Sequence, residues 1–215
     1  MTKENLIDLV VLNLNGGVTT GQSKTKYHPE EVLKYLEIAY DDFILKVCEA
    51  AIINHDYSGL DSFTKPYEDI PVVLDTNRNE YYAVMPVPTV QLPQSLAIRQ
   101  VSPMKAPDMN FRYTQYTQQV VMGNLDVGQI DTNMKYYVEN SKDGEFDRIR
   151  FWKGFDTQYD KLLVRMVVPF AYLNNKSETS IPANKALAIV AMIKELMGDR
   201  KGVTPDLANE NSPQS

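Results

Sequence analysis

The stretch GGVTTGQS, residues 16–23, is where this sequence comes nearest to a chemical motif. It holds Gly16 and Gly21 at the spacing of a phosphate-cradling loop and closes on a hydroxyl at Ser23. Such loops use glycines so that backbone N–H groups can approach the phosphates, and a lysine to reach the β- and γ-phosphates. The preceding DLVVLNLN could serve as the required strand, but Gln22 stands in the lysine's place and the next helical pattern waits for Pro29. A nucleotide-binding enzyme built on the Gly16–Ser23 loop is therefore the remote reading. A glycine-bearing connection is the plainer one.

The other reactive side chains are few. His28 and His55, the two histidines, bracket a long helical pattern. At 1.5 Å per residue that pattern holds them roughly 40 Å apart, too far to share a metal. Cys48, the single cysteine, cannot form an intrachain disulfide. It falls on or beside the apolar stripe of the same helix, the place of a buried inert thiol. Asp41 and Asp42 are neighbours on that helix and diverge by about 100°, so they read as a solvated face rather than an acid and its base. No HExxH, CxxC or GxSxG pattern joins them. The expectation is a protein without catalysis, cofactor or metal.

The totals agree with an interaction protein. At 215 residues the chain suits one domain, with 43% hydrophobic and 23% charged residues. Lysine and arginine number 22 against 28 acidic residues, a net charge of −6, which argues against a general binder of phosphate backbones. Thirteen tyrosines against one tryptophan supply large amphipathic surface, common in cores and interfaces. The N-terminal apolar stretch is broken by Asp8 and Asn13, too short and polar for a membrane span. A soluble protein synthesised in a cytoplasm, with no membrane partner, is expected.

Elements follow from periodicity. Residues 4–13 read as a short helix or a strand. YHPEEVLKYLEIAYDDFILKVCEAAI is the clearest helix: Pro29 suits a first turn, and Glu30 and Glu31 suit the positive end of the dipole. Its apolar stripe is Val32, Leu36, Ala39, Phe43, Val47 and Ala50, widened by Tyr40, Ile44 and Ala51. From about residue 70, PVVLD, EYYAVMP, LAIRQVSP, NFRYTQYTQQVVM, KYYVEN, FDRIRFW and KLLVRMVVPF read as strands. Phe146–Ile149–Phe151 and Leu163–Arg165–Val167 carry the alternation, and DTNRNE, GNLDVG, NSKDGE and KGFDTQ supply the turns. A second helix, IPANKALAIVAMIKELMG, presents Leu187, Val190, Ile193 and Leu196 or Met197 and stops at Gly198. The fold expected is α+β: N-terminal helices, a strand-rich antiparallel middle, and a C-terminal helix. One domain covers 1–198, and 199–215 form a flexible tail.

Residues 86–103, PVPTVQLPQSLAIRQVSP, are too rich in proline for a helix and too apolar for a linker. Proline fixes φ and lowers the entropy lost on ordering. An apolar ribbon stiffened in this way suits a segment lying across another surface; a long loop over its own domain is the equal alternative. Pro86, Val87, Pro88, Val90, Leu92, Pro93 and Leu96, with Pro205 and Leu207 of the tail, are the candidate partner contacts.

The run of elements has a likeness. IDLVVLNLNGG, the YHPEEVLKYLEIAYDDF helix, YYAVMPVPTVQLPQSLAIRQVSP, a strand-rich middle, IPANKALAIVAMIKELM and TPDLANENSP follow one another over most of the chain. In this order the sequence resembles virion proteins of tailed bacteriophages, the crAss-like phages in particular, and most of all their head-to-tail connector or ring proteins. The resemblance implies a structural subunit of a closed homo-oligomeric ring, dodecameric to match the portal protein above it. It would sit at the head–tail junction of the virion, contact the portal and adjacent connector or tail proteins, and line the channel through which DNA passes unread. It carries over no active site. A tail, baseplate or capsid-decoration protein is the alternative within the same class.

Overall fold

A computed structural model describes residues 1–16, 27, 29–115, 134–139, 146–151, 155, 158–176, 179, 181 and 183–198. The fold is α+β. The sequence reads as one domain over 1–198; the folded chain divides into two compact units, Met1–Lys46 with Leu173–Ser215, and Val47–Tyr172.

The first unit is helical. Helix α1 spans Lys3–Leu14, resolving the helix-or-strand choice, and starts where Thr2 Oγ1 accepts the Asn5 N–H at 3.2 Å. Helix α2 spans Pro29–Asn54, crossing the division at Lys46, and helix α4 spans Ala183–Gly198. Leu6, Val10 and Val11 of α1, Val32, Leu36, Ala39, Tyr40 and Ile44 of α2, and Ala186, Ile189, Val190, Ile193 and Met197 of α4 are buried. Polar ties hold the segments around this core. The Lys3 ammonium donates to the Leu173 carbonyl at 2.9 Å, and Tyr40 Oη donates to the Thr179 carbonyl at 3.1 Å. Burial pushes the Tyr40 phenol well above its ordinary pKa, with the Asp41 charge adding to the shift.

Val32, Leu36, Ala39, Val190 and Ile193 of the expected helical stripes are buried as expected, but each stripe departs in part. On α2 the buried line runs through Tyr40, Ile44, Cys48 and Ala51, whereas Phe43 and Val47 are half-buried and Ala50 is exposed. Both paths step by threes and fours, and apolar residues lie on each, so periodicity cannot choose between them. On α4, Ala186 and Ile189 take the place of Leu187, which is 59% exposed, and Met197 is buried in preference to Leu196.

The second unit is built on two sheets. After a single turn, α3 (Ser58–Asp61), come β1 (Thr64–Pro71), β2 (Val73–Asp75), β3 (Glu80–Val84), β4 (Ile98–Pro103), β5 (Arg112–Tyr113), β6 (Lys135–Glu139), β7 (Arg148–Phe151) and β8 (Lys161–Val167). The three-stranded sheet has order β1-β8-β4 and the five-stranded sheet β2-β3-β7-β6-β5. All pairings are antiparallel except β5 with β6, which is parallel. β8 is central, and only Lys161 and Arg165 of its residues are exposed. β1 opens in TKPYEDIP, which lacks a strand signature; it forms because β8 offers a partner, and as an edge strand it tolerates Pro66 and Pro71.

Candidate interaction site on the outer face of the five-stranded sheet

Strand alternation sorts this sheet into an inner and an outer face. Ala83, Met85, Tyr136, Ile149 and Phe151 are buried on the inner side. There Phe151 and Phe155 pack with ring centroids 4.6 Å apart, and Phe111 meets Phe151 edge-on at 5.5 Å. The register places Val73, Asp75, Glu80, Tyr82, Val84, Tyr137, Glu139, Arg148 and Arg150 on the opposite, outer face. The expected alternation from Phe146 holds for Ile149 and Phe151, which are buried, but Phe146 itself is exposed.

Towards the β2–β3 turn, a single cation on the outer face gathers carboxylates from three strands. Arg150 of β7 is almost fully buried; its Nε donates to Glu139 Oε2 at 2.5 Å, and its Nη1 donates to Asp75 Oδ2 at 3.1 Å and lies 3.8 Å from Glu80 Oε2. Arg78, in the β2–β3 turn, reaches Glu139 Oε1 at 2.6 Å, and Tyr137 Oη donates to Glu80 Oε2 at 3.1 Å. The turn is itself local chemistry: Asp75 Oδ1 accepts the Asn77 and Arg78 N–H groups at 3.1 and 3.3 Å, and Asn79 takes φ 53°. Burial alone would raise the Glu139 pKa, but the hydrogen bonds from Arg150 and Arg78 outweigh it and hold the carboxyl below its usual range. Asp75 follows the same pattern: desolvation would raise it, and hydrogen bonds from Arg150 and the turn N–H groups bring it down. The cluster therefore satisfies itself. Its chemistry is to lock four strands in register.

The opposite end differs. Val84 is 43% exposed and Phe146 41%, with Pro86 exposed two residues beyond Val84; Val73, 47% exposed, sits at the sheet edge in the row of Tyr82 and Arg150. Arg148 lies beside Val84, its guanidinium 5.3 Å from the Tyr82 ring centroid. The proline ribbon starts from this end. Val87, Pro88, Leu92 and Leu96 are half-buried, and Pro93 is exposed at the start of a 3-10 turn over Pro93–Ser95. Val90 is buried and donates its N–H to the Val167 carbonyl at 3.3 Å, while Val167 N–H bonds the Ala97 carbonyl at 2.7 Å. The ribbon thus lies over its own unit as far as the described chain goes. A cleft of about 240 Å³ opens beside it, lined by residues including Val90, Leu92, Ser95, Ile98, Tyr113 and Asp147.

The remaining sequence candidates have plain places. Gly16 follows the C-cap of α1 with φ 64°, the left-handed conformation that ends helices. The segment before the glycine loop is therefore helix, not the strand a phosphate loop follows. Asn15 and Tyr27, on either side of residues 16–26, exchange hydrogen bonds of 3.0 and 2.9 Å. Cys48 is buried, and burial, chiefly, pushes its thiol pKa up. Asp42 pairs with Lys46 at 2.9 Å one helical turn on. His28, Gly21, Gln22, Ser23, Pro182, Pro205 and Leu207, and the turns GNLDVG and KDG, lie outside the described residues. Among the described residues no group of three or more His, Cys, Asp or Glu is placed to hold a metal ion, and no helix is long and apolar enough to cross a membrane. The Arg150 cluster left no trace in spacing, because Asp75, Glu80, Glu139 and Arg150 become neighbours only through strand pairing. The chain matches no protein-family model, and no curated protein aligns with it.

Proposed function

We propose that this chain is a structural virion protein, a subunit of a closed ring in the head-to-tail connector of a tailed phage. It would lie below the portal protein, join capsid to tail, and surround the channel through which DNA leaves. The order of its elements resembles that of such proteins, as set out above. The observation that carries the reading is the exposed apolar end of the outer sheet face, Val84, Pro86 and Phe146, beside a cluster whose charges are spent on each other. Side chains arranged this way offer contact area rather than reactive groups. The mass of the native assembly, alone and mixed with portal protein, tests the proposal. Ring particles that join the portal are expected; a compact monomer under both conditions contradicts it. Labelling the chain in intact particles tests its position, which should be the head–tail junction and not the capsid lattice or the tail tip.

A further inference from the structure

We propose that the cleft beside the proline ribbon binds a small, neutral, hydroxyl-rich molecule, of the size and chemistry of one saccharide ring. The proposal goes beyond the ring reading and does not depend on it.

The cleft lies wholly within the second unit. Val138 and Tyr113 line it from the five-stranded sheet, whose register pairs them with Ile149 and Tyr136, both buried on the inner side. The opposing wall is the ribbon where it leads into β4, and that wall is pinned before any ligand arrives. Val90 N–H bonds the Val167 carbonyl at 3.3 Å and Val167 N–H bonds the Ala97 carbonyl at 2.7 Å, so residues 91–96 close at both ends on one residue of the central strand. Inside that loop the Leu96 N–H donates to the Pro93 carbonyl at 3.1 Å. A loop tied in this way has little freedom left to lose on binding. Ser95 within it takes φ 56°, a left-handed conformation that glycine enters freely and other residues enter at a cost. With serine at this position, the turn sets a hydroxyl-bearing residue on the cleft wall.

The lining selects the class of ligand. Thr89, Ser95 and Tyr113 bring hydroxyls and Gln91 a carboxamide, groups that both donate and accept. Asp147 is the one charged residue among the described residues of the lining, and its backbone carbonyl is fixed by the Met85 N–H at 2.9 Å. A carboxylate accepts about four hydrogen bonds, so it can take a ligand O–H alongside the bonds it already makes. Among the described residues no lysine, arginine or histidine lines the cleft. A phosphate or carboxylate would therefore enter without a counter-charge and beside a like one, which disfavours nucleotides and acids. Leu92, Ile98 and Val138 supply apolar wall for the C–H face of a sugar ring. The volume of about 240 Å³ falls short of the roughly 300–1,000 Å³ that drug-sized ligands occupy, which limits the occupant to a single ring.

The test is a chemical-shift titration of the isotope-labelled full chain with D-glucose, D-galactose and N-acetyl-D-glucosamine. Each is taken to about 50 mM, past the millimolar affinity expected of so small a ligand. At least one sugar should produce saturable shifts centred on the amides of residues 89–98, Tyr113, Val138 and Asp147. Inorganic phosphate and AMP, at matched ionic strength, should leave those amides in place. Gln91→Ala, at an exposed position, and Tyr113→Phe, which keeps the ring, should each weaken the sugar about threefold to tenfold. Ser95→Gly separates binding from folding: relief of the left-handed serine should raise the thermal midpoint, while loss of the hydroxyl weakens the sugar. A serine with a structural role alone would show the first change without the second. No saturable shift with any of the three sugars, shifts of the same amides by phosphate or AMP, or wild-type sugar affinity in all three variants would each overturn the proposal.

Discussion

The two ends of one sheet face, built from the same strands, have opposite fates. Around Arg150 every strong charge has a counterpart within reach, drawn from β2, β3 and β6. Around Val84 the apolar surface stays open, and the nearest cation, Arg148, stacks on Tyr82. A buried charge is tolerated only where partners surround it, whereas exposed apolar area carries no such demand and remains available for another surface. The first end fixes the register of the sheet. The second is where that rigid sheet can be used.

The largest break in this contrast comes from Arg150→Met. It strands three clustered carboxylates and should destabilise the second unit by about 3 kcal/mol, read from urea unfolding followed by the fluorescence of the single tryptophan, Trp152. Self-association of the remaining folded protein should be little changed.

Acid should mimic part of that loss. Asp75 and Glu139 are held below their unfolded pKa values, so the stability they contribute is complete above the ordinary carboxylate range and is lost as pH falls through the lowered folded values. The urea midpoint should therefore hold from neutral pH down to about pH 4.5 and drop below it. Glu139→Gln should lower the midpoint at neutral pH and flatten the acid decline. An identical acid decline in Glu139→Gln and wild type would show that other carboxylates govern it.

A control lies in the other unit. Tyr40→Phe removes the hydrogen bond to the Thr179 carbonyl and leaves that acceptor buried, at a cost of about 1 kcal/mol. That cost should be insensitive to acid, in contrast to Arg150. The smallest effect belongs to the apolar end: Val84→Asp and Phe146→Glu should alter monomer stability by less than about 0.5 kcal/mol, as surface substitutions do.

Much of the fold was legible because it is local. Pro29 with Glu30 and Glu31 marks the start of α2, DTNRNE makes the β2–β3 turn through Asp75, and most strands lie inside the β-branched and aromatic runs. What stayed hidden depends on tertiary partners. β1 has two prolines and a bulge between Tyr67 and Ile70, and it exists because β8 pairs with it. Which neighbour each of the α2 and α4 stripes buries depends on what packs against it, since Phe43 and Ile44, or Ala186 and Leu187, are interchangeable to a periodicity count. The site was half visible. The proline ribbon announces itself in sequence, with Pro86 at its exposed start, but Val73, Val84 and Phe146 sit in three separate segments that strand pairing alone brings to one face.

Amide hydrogen exchange of the dilute and the concentrated chain addresses the contrast most directly. At high concentration, peptides carrying Val84–Pro86 and Phe146–Arg148 should gain protection, while those around Asp75 should exchange alike at both concentrations. Protection that does not change with concentration, or that appears only away from these segments, would contradict the claim that the open end of the sheet is an interface between copies.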